Sequence, residues 1–93
     1  MPKLLFEIWE DLESHSYEMS PVTEGGDALR RQMTPNAILR HAFHATSDFE
    51  AFQMNHDWHG YGKWKPEQDW VERKFTIEEV EAQNSYLAIR KGG

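Results

Sequence analysis

The segment KLLFEIWEDL, residues 3–12, alternates with a period of two and is apolar on both sides of that alternation. Leu4, Phe6 and Ile8 fall on one face, and Leu5, Glu7 and Trp9 on the other. Successive side chains of a strand point to opposite faces, so the pattern predicts a β-strand with two faces to satisfy. An antiparallel sheet with one face in water normally shows a cleaner alternation. The face carrying Leu5 and Trp9 would also take Ile38 and Ala42 from a later strand, beside Glu7 and Arg40. It therefore has to be covered, either by a helix near the carboxyl end or by a second copy of the chain.

The rest of the chain supplies the elements that such a strand needs. DLESHS is polar and reads as a turn, and SYEMSPV alternates again up to Pro21, which predicts a β-hairpin. TEGGDALRRQM predicts a short helix from about Asp27 to Met33, with Leu29 and Met33 four apart. Its Gly25-Gly26 pair is not a phosphate loop, because Glu24 and Asp27 put negative charge where an anion would sit and no Gly-Lys-Ser/Thr follows. Residues 37–45 fit a strand or a helix by periodicity. The capping-box pattern SDFE at 47–50 decides for a strand turning directly into a new helix. That helix should run from Phe49 to Trp58 or His59, with Gly60 in the left-handed position that ends it. WVERKF, residues 70–75, suggests a short edge strand. TIEEVEAQNSYLAIRK predicts a helix over about 77–90, with a second capping box at Thr76 and Glu79 and with Arg90 and Lys91 complementing its negative end. The expected architecture is α+β: a small two-layer sandwich on an antiparallel sheet, in the order β-β-α-β-α followed by a carboxy-terminal α-helix.

Ninety-three residues make a single domain with one modest core. Hydrophobic residues are 39% of the chain, and four Trp, five Phe and three Tyr compensate because each buries a large area. There is no cysteine, which removes disulfides, thiolate metal sites and cysteine nucleophiles from consideration. No stretch reads as a signal peptide or membrane span, so the expectation is a cytoplasmic protein. A net charge of −6 opposes binding to nucleic acid or to an anionic membrane surface.

Four of the five histidines form two HxxH pairs, His41 with His44 and His56 with His59. An i, i+3 pair on a helix can chelate a transition metal. Residues three apart on a strand point to opposite faces, so a strand at 37–45 would separate His41 from His44. His56 and His59 stay together on the helical stripe of Phe49 and Phe52 and are the candidate metal ligands. The simpler reading packs both rings against the core at a helix end that favours cations, and no cofactor is implied.

Trp58, Tyr61, Trp64 and Trp70 recur along the glycine-punctuated stretch 58–70, with Lys63 and Lys65 between them. Aromatics interleaved with bases can stack on bases of single-stranded nucleic acid, but the acidic balance of the chain argues against that partner. Held down by its own tryptophans, the stretch forms an aromatic lid. Trp58, Tyr61, Lys63, Trp64 and Trp70, together with Trp9 on the outer sheet face, are the candidate partner-binding residues.

No nucleophile–base–orienter set is recognisable from the sequence. The ending LAIRKGG resembles the free Gly-Gly tail of ubiquitin-like and sulfur-carrier proteins. That resemblance implies a β-grasp fold and activation of the terminal carboxylate as an acyl adenylate. The chain departs from the pattern because those tails follow a strand, whereas SYLAIR continues a helix. The leading expectation is a non-catalytic binding or interaction protein, whose partner is another protein or a second copy. The alternatives are a histidine-dependent metal protein or enzyme, and a Gly-Gly carrier.

Overall fold

Strand β1, Leu4–Asp11, is the centre of a three-stranded antiparallel sheet in the order β2-β1-β3, with β2 at Tyr17–Pro21 and β3 at Ala37–Ala45. The computed structural model describes residues 1–91, so Gly92 and Gly93, on which the carrier reading turns, lie outside the described residues. Three helices complete the order β-β-α-β-α-α: α1 at Glu24–Met33, α2 at Asp48–His59 and α3 at Ile77–Ile89. The α+β class expected from periodicity is the fold observed.

One face of the sheet carries the core. Leu4, Phe6 and Ile8 of β1 meet Phe43 and Ala45 of β3, and Ala51 of α2 and Phe75 close over them. Phe6 stacks on Phe43 with ring centroids 5.6 Å apart and leans on Phe75 at 5.8 Å. Met54 of α2 and Val80 of α3 pack at the margin. The helix ends follow local chemistry. Ser47 Oγ accepts from the Glu50 amide at the start of α2, and Gly60 ends that helix at φ 74°, where a side chain would be strained. At α3 the full capping box forms between Thr76 and Glu79. Glu50 reaches the Thr46 amide rather than that of Ser47, so the first box is half-formed.

Several expectations need correction. Helix α1 begins one turn early, at Glu24, because Thr23 caps it by accepting from the Gly26 amide at 2.9 Å. Both glycines therefore lie inside the helix, where their poor propensity is offset by the cap. Its apolar pair is also turned outward: Leu29 and Met33 are exposed while Asp27 and Arg30 are buried. The suggested edge strand at 70–75 is a single bridge, Lys74 to Ser47. That segment is held mainly by other contacts, with the Phe75 amide donating to the Thr46 carbonyl and Ser47 Oγ donating to Glu72.

The outer face is also arranged differently from the simple alternation. A bulge between Ile8 and Trp9 skips Arg40, so Trp9 faces Leu39 and Ile38 falls opposite Glu10. Arg40 instead binds Glu10 at 2.7 Å. What covers Glu7 and Trp9 is a set of charges. The Arg30 guanidinium lies 3.5 Å above the Trp9 ring, and Trp9 Nε1 donates to Glu7 at 3.1 Å. Arg90 does not complement the end of its own helix. It reaches back to Glu7 at 2.6 and 2.9 Å and to Asp27 at 2.7 and 3.0 Å. Tyr86 donates its hydroxyl to the same Asp27 carboxylate. Helix α3 lies against the end of β1, where Gln83 substitutes for a missing strand. Its amide accepts from Leu5 N at 2.8 Å and donates to the carbonyls of Leu5 and Val22. On β3, residues 39–42 and His44 stay exposed.

Candidate binding surface

Helix α2 organises the aromatic residues into two clusters, one at each end. At its carboxyl end His41 of β3 stacks on Trp58 at 5.7 Å, with the planes 9° apart. His59 stands edge-on to both Trp58 and Tyr17 at 4.9 Å and stacks on Tyr61 at 4.7 Å. His56 meets Tyr61 edge-on at 5.5 Å, and its Nδ1 is buried without a hydrogen-bond partner. Burial, with the nearby His56 adding to it, lowers the pKa of His59 and so favours its neutral form. His41 pairs with Ile8 on the core face and His44 with Leu5 on the other, so the strand does separate that histidine pair. Among the described residues no group of three or more His, Asp or Glu side chains converges as a metal-binding set.

The second cluster lies at the amino end of α2. Trp64 packs on Phe49 at 5.1 Å and on Phe52 at 4.9 Å, and Trp70 joins Phe52 and Trp64 at 6.2 Å from each. Gln53 of α2 clamps the intervening loop, accepting from Trp64 N at 2.9 Å and donating to the Gly62 carbonyl. The loop is thus held by its own aromatics, as expected from its composition. It does not bury them all. Trp70 is 52% exposed and Val71 is 84% exposed. Lys63 is exposed beside the half-buried Trp64.

Of the six candidate partner-binding residues, Trp9 is withdrawn. It is buried beneath Arg30 and its indole N–H is engaged by Glu7, so no partner can reach it. The other five split between the clusters: Trp58 and Tyr61 at one end of α2, Trp64 and Trp70 at the other, with Lys63 on the loop between them. Trp70 and Val71 form an open depression of about 370 Å³ with Asp48, Phe49 and Phe52.

Two further depressions adjoin it. A second one, of about 220 Å³, shares Asp48 and Phe52 with it and reaches Phe6, Met19, Pro21 and Phe75. A third, of about 430 Å³, shares Pro21, Arg73 and Phe75 with the second and is walled by Leu4, Val22, Ala82 and Tyr86. Arg73 lies over this junction, held by Glu79 at 2.8 and 3.1 Å, its guanidinium 5.6 Å from the Phe75 ring. The groove runs along Met19 and Pro21 of β2, beyond Tyr17, which Trp58 and His59 of α2 reach. Nothing in the spacing of these residues announced it, since they come from five separated stretches of chain.

No protein-family model, curated protein or solved structure matches the chain.

Proposed function

We propose that the chain is a non-catalytic interaction protein that binds a partner protein through the surface formed by α2 and the segment 60–75. The observation that carries this reading is the pairing of exposure with fixation at Trp70 and Val71. Both are open to solvent, yet the segment bearing them is pinned at both ends, by Gln53 to Trp64 and by Thr46 to Phe75. Rigid, exposed aromatic and aliphatic groups beside a depression are what interface hot spots are made of. A cytoplasmic location belongs to this proposal, and the lack of cysteine is compatible with a reducing compartment. No described helix is long and apolar enough to cross a membrane.

A photoreactive benzoylphenylalanine at position 71 tests the reading, with the same group at exposed Leu12 as control. Cross-linking in the cells that make the protein should give a discrete adduct from position 71 and none of the same mass from position 12. No adduct from 71, or the same adducts from both, would remove this surface from consideration.

A second reading is favoured by β3. This edge strand is nine residues long and contains no Asp, Glu, Lys or Pro, whereas the other edge, β2, is five residues long and carries Glu18 and Pro21. An edge of this length, interrupted at the Arg40 bulge, still leaves backbone groups for another strand. With Leu39 and Ala42 open on the outer face, the natural occupant is a second copy, paired about a two-fold axis. Light scattering of the purified chain decides it: a dimer that Leu39→Lys disperses supports the pairing, and a monomer at every concentration refutes it.

A further inference from the structure

We propose that the three joined depressions form one groove that takes the apolar face of a basic amphipathic helix from the partner protein. The inference rests on the interaction reading above and adds the chemistry of the partner.

The walls are apolar along the whole path: Tyr86 and Val22 at one end, Phe75 and Met19 in the middle, Phe52 and Trp70 at the other. Several polar groups along it are engaged within the protein. Gln83 binds Leu5 and Val22, and Tyr86 donates to Asp27. The Val22 amide donates to Leu5 and the Phe75 amide to Thr46. Pro21 has no amide proton. An extended peptide laid here could pair only along the short β2 edge, and the rest of its backbone would be unmatched, which is costly once buried. A helix satisfies its own backbone and presents only side chains, reading such a groove through anchors on successive turns.

Charge selects the kind of helix. The charged residues lining the path are Glu24, Asp48, Arg73 and Glu79. Arg73 and Glu79 neutralise one another through their paired hydrogen bonds. Glu24 and Asp48, whose carboxylate accepts from the Phe49 and Arg73 amides, leave the rim negative in a protein whose net charge is −6. A helix with Lys or Arg flanking its apolar stripe is complementary to that rim, and an acidic one is repelled.

Two fluorescein-labelled synthetic peptides test this against the full chain by fluorescence polarisation. Both carry leucines at alternating three- and four-residue spacing; one has lysines flanking the stripe and the other glutamates. The lysine peptide should bind at least about tenfold more tightly, with the difference shrinking as salt is raised. Ala82→Lys places a cation in the groove wall from an exposed helical position and should weaken that binding at least about tenfold. Leu29→Lys, on the exposed side of α1, should leave it unchanged. Equal binding of both peptides, insensitivity to Ala82→Lys, or no binding of the lysine peptide up to roughly 100 μM protein overturns the proposal. So does a native mass spectrum that shows a retained small molecule, or a dimer that Ala82→Lys disperses. The cross-link from position 71 reads the parent hypothesis separately. A discrete adduct there with both peptides inert would leave the interaction surface standing and refute the helix.

Discussion

Replacing Arg90 with alanine removes the cation that two buried carboxylates share. Arg90, Glu7 and Asp27 have side chains only 12%, 7% and 6% exposed, and the guanidinium makes four hydrogen bonds to the two acids. In the variant, Trp9 Nε1 still donates to Glu7, and Tyr86 and Arg30 still donate to Asp27, but two negative charges face one remaining arginine. Breaking a buried pair by removing one partner costs about 3–5 kcal/mol, because the group left behind is desolvated and uncompensated. A domain of this size has about 5–14 kcal/mol in all. The expected fall in melting temperature is at least about 12 °C. Urea denaturation of Arg90→Ala against the parent measures the loss. Arg90→Lys keeps the charge but not the planar fork, and should recover only part of it.

The pH dependence identifies the cause. Burial pushes the Asp27 carboxyl up, but the hydrogen bonds from Arg90 and then Tyr86 outweigh it, so its folded pKa lies below the ordinary value. A depressed carboxyl stabilises the fold above the unfolded pKa of about 3.9, and that stabilisation is lost as pH falls through the folded value. Without Arg90 the effect of burial dominates and the sign reverses. Arg90→Ala should therefore regain stability relative to the parent as pH drops from 7 to about 4.5. A loss under about 1 kcal/mol at pH 7, or a gap between variant and parent that does not narrow at lower pH, would refute the assignment of Arg90 as the clamp.

Three further changes probe other parts of the structure. Gln83→Leu orphans the Leu5 amide and the Val22 carbonyl, and chemical denaturation should show a loss of about 2–3 kcal/mol with the helical circular dichroism retained. Gly25→Ala meets nothing within 4 Å and should stabilise by up to about 1 kcal/mol, whereas the Cβ of Gly26→Ala would lie 2.9 Å from the Thr23 capping oxygen and should erase that gain in thermal melts. Hydrogen bonds from Arg73, and after them from the Thr76 amide, hold Glu79 down to about 2. Its contribution is present in full above the ordinary carboxyl range, declines as pH falls below that range and is gone below about 2. In Arg73→Ala the Glu79 carboxyl, followed by NMR, should titrate at higher pH, and an unchanged midpoint would show that the capping box holds it instead.

Local chemistry was legible in the sequence to the extent that it is short-ranged. The alternation of β1, the caps at Ser47 and Thr76, the glycine stop at residue 60 and the strand at 37–45 each follow from residues within a few positions of one another. The self-packed aromatic loop spans a longer reach, since Trp64 folds back on phenylalanines of α2 that precede it by more than a helical turn. Tertiary structure decided which faces meet. Leu29 and Met33 suggested an inward stripe for α1, but the buried Glu7 needed cations, and the helix turned Asp27 and Arg30 inward to join a network completed by Arg90, 83 residues from Glu7. Trp9 was covered by that network, and one skipped residue at Arg40 changed which side chains share its face. The groove arose the same way, from how far α2 and α3 extend across the sheet. Period, propensity and capping act over a turn or a strand and can be read along the chain. The pairing of buried charges and the coverage of a sheet depend on residues brought together only by folding.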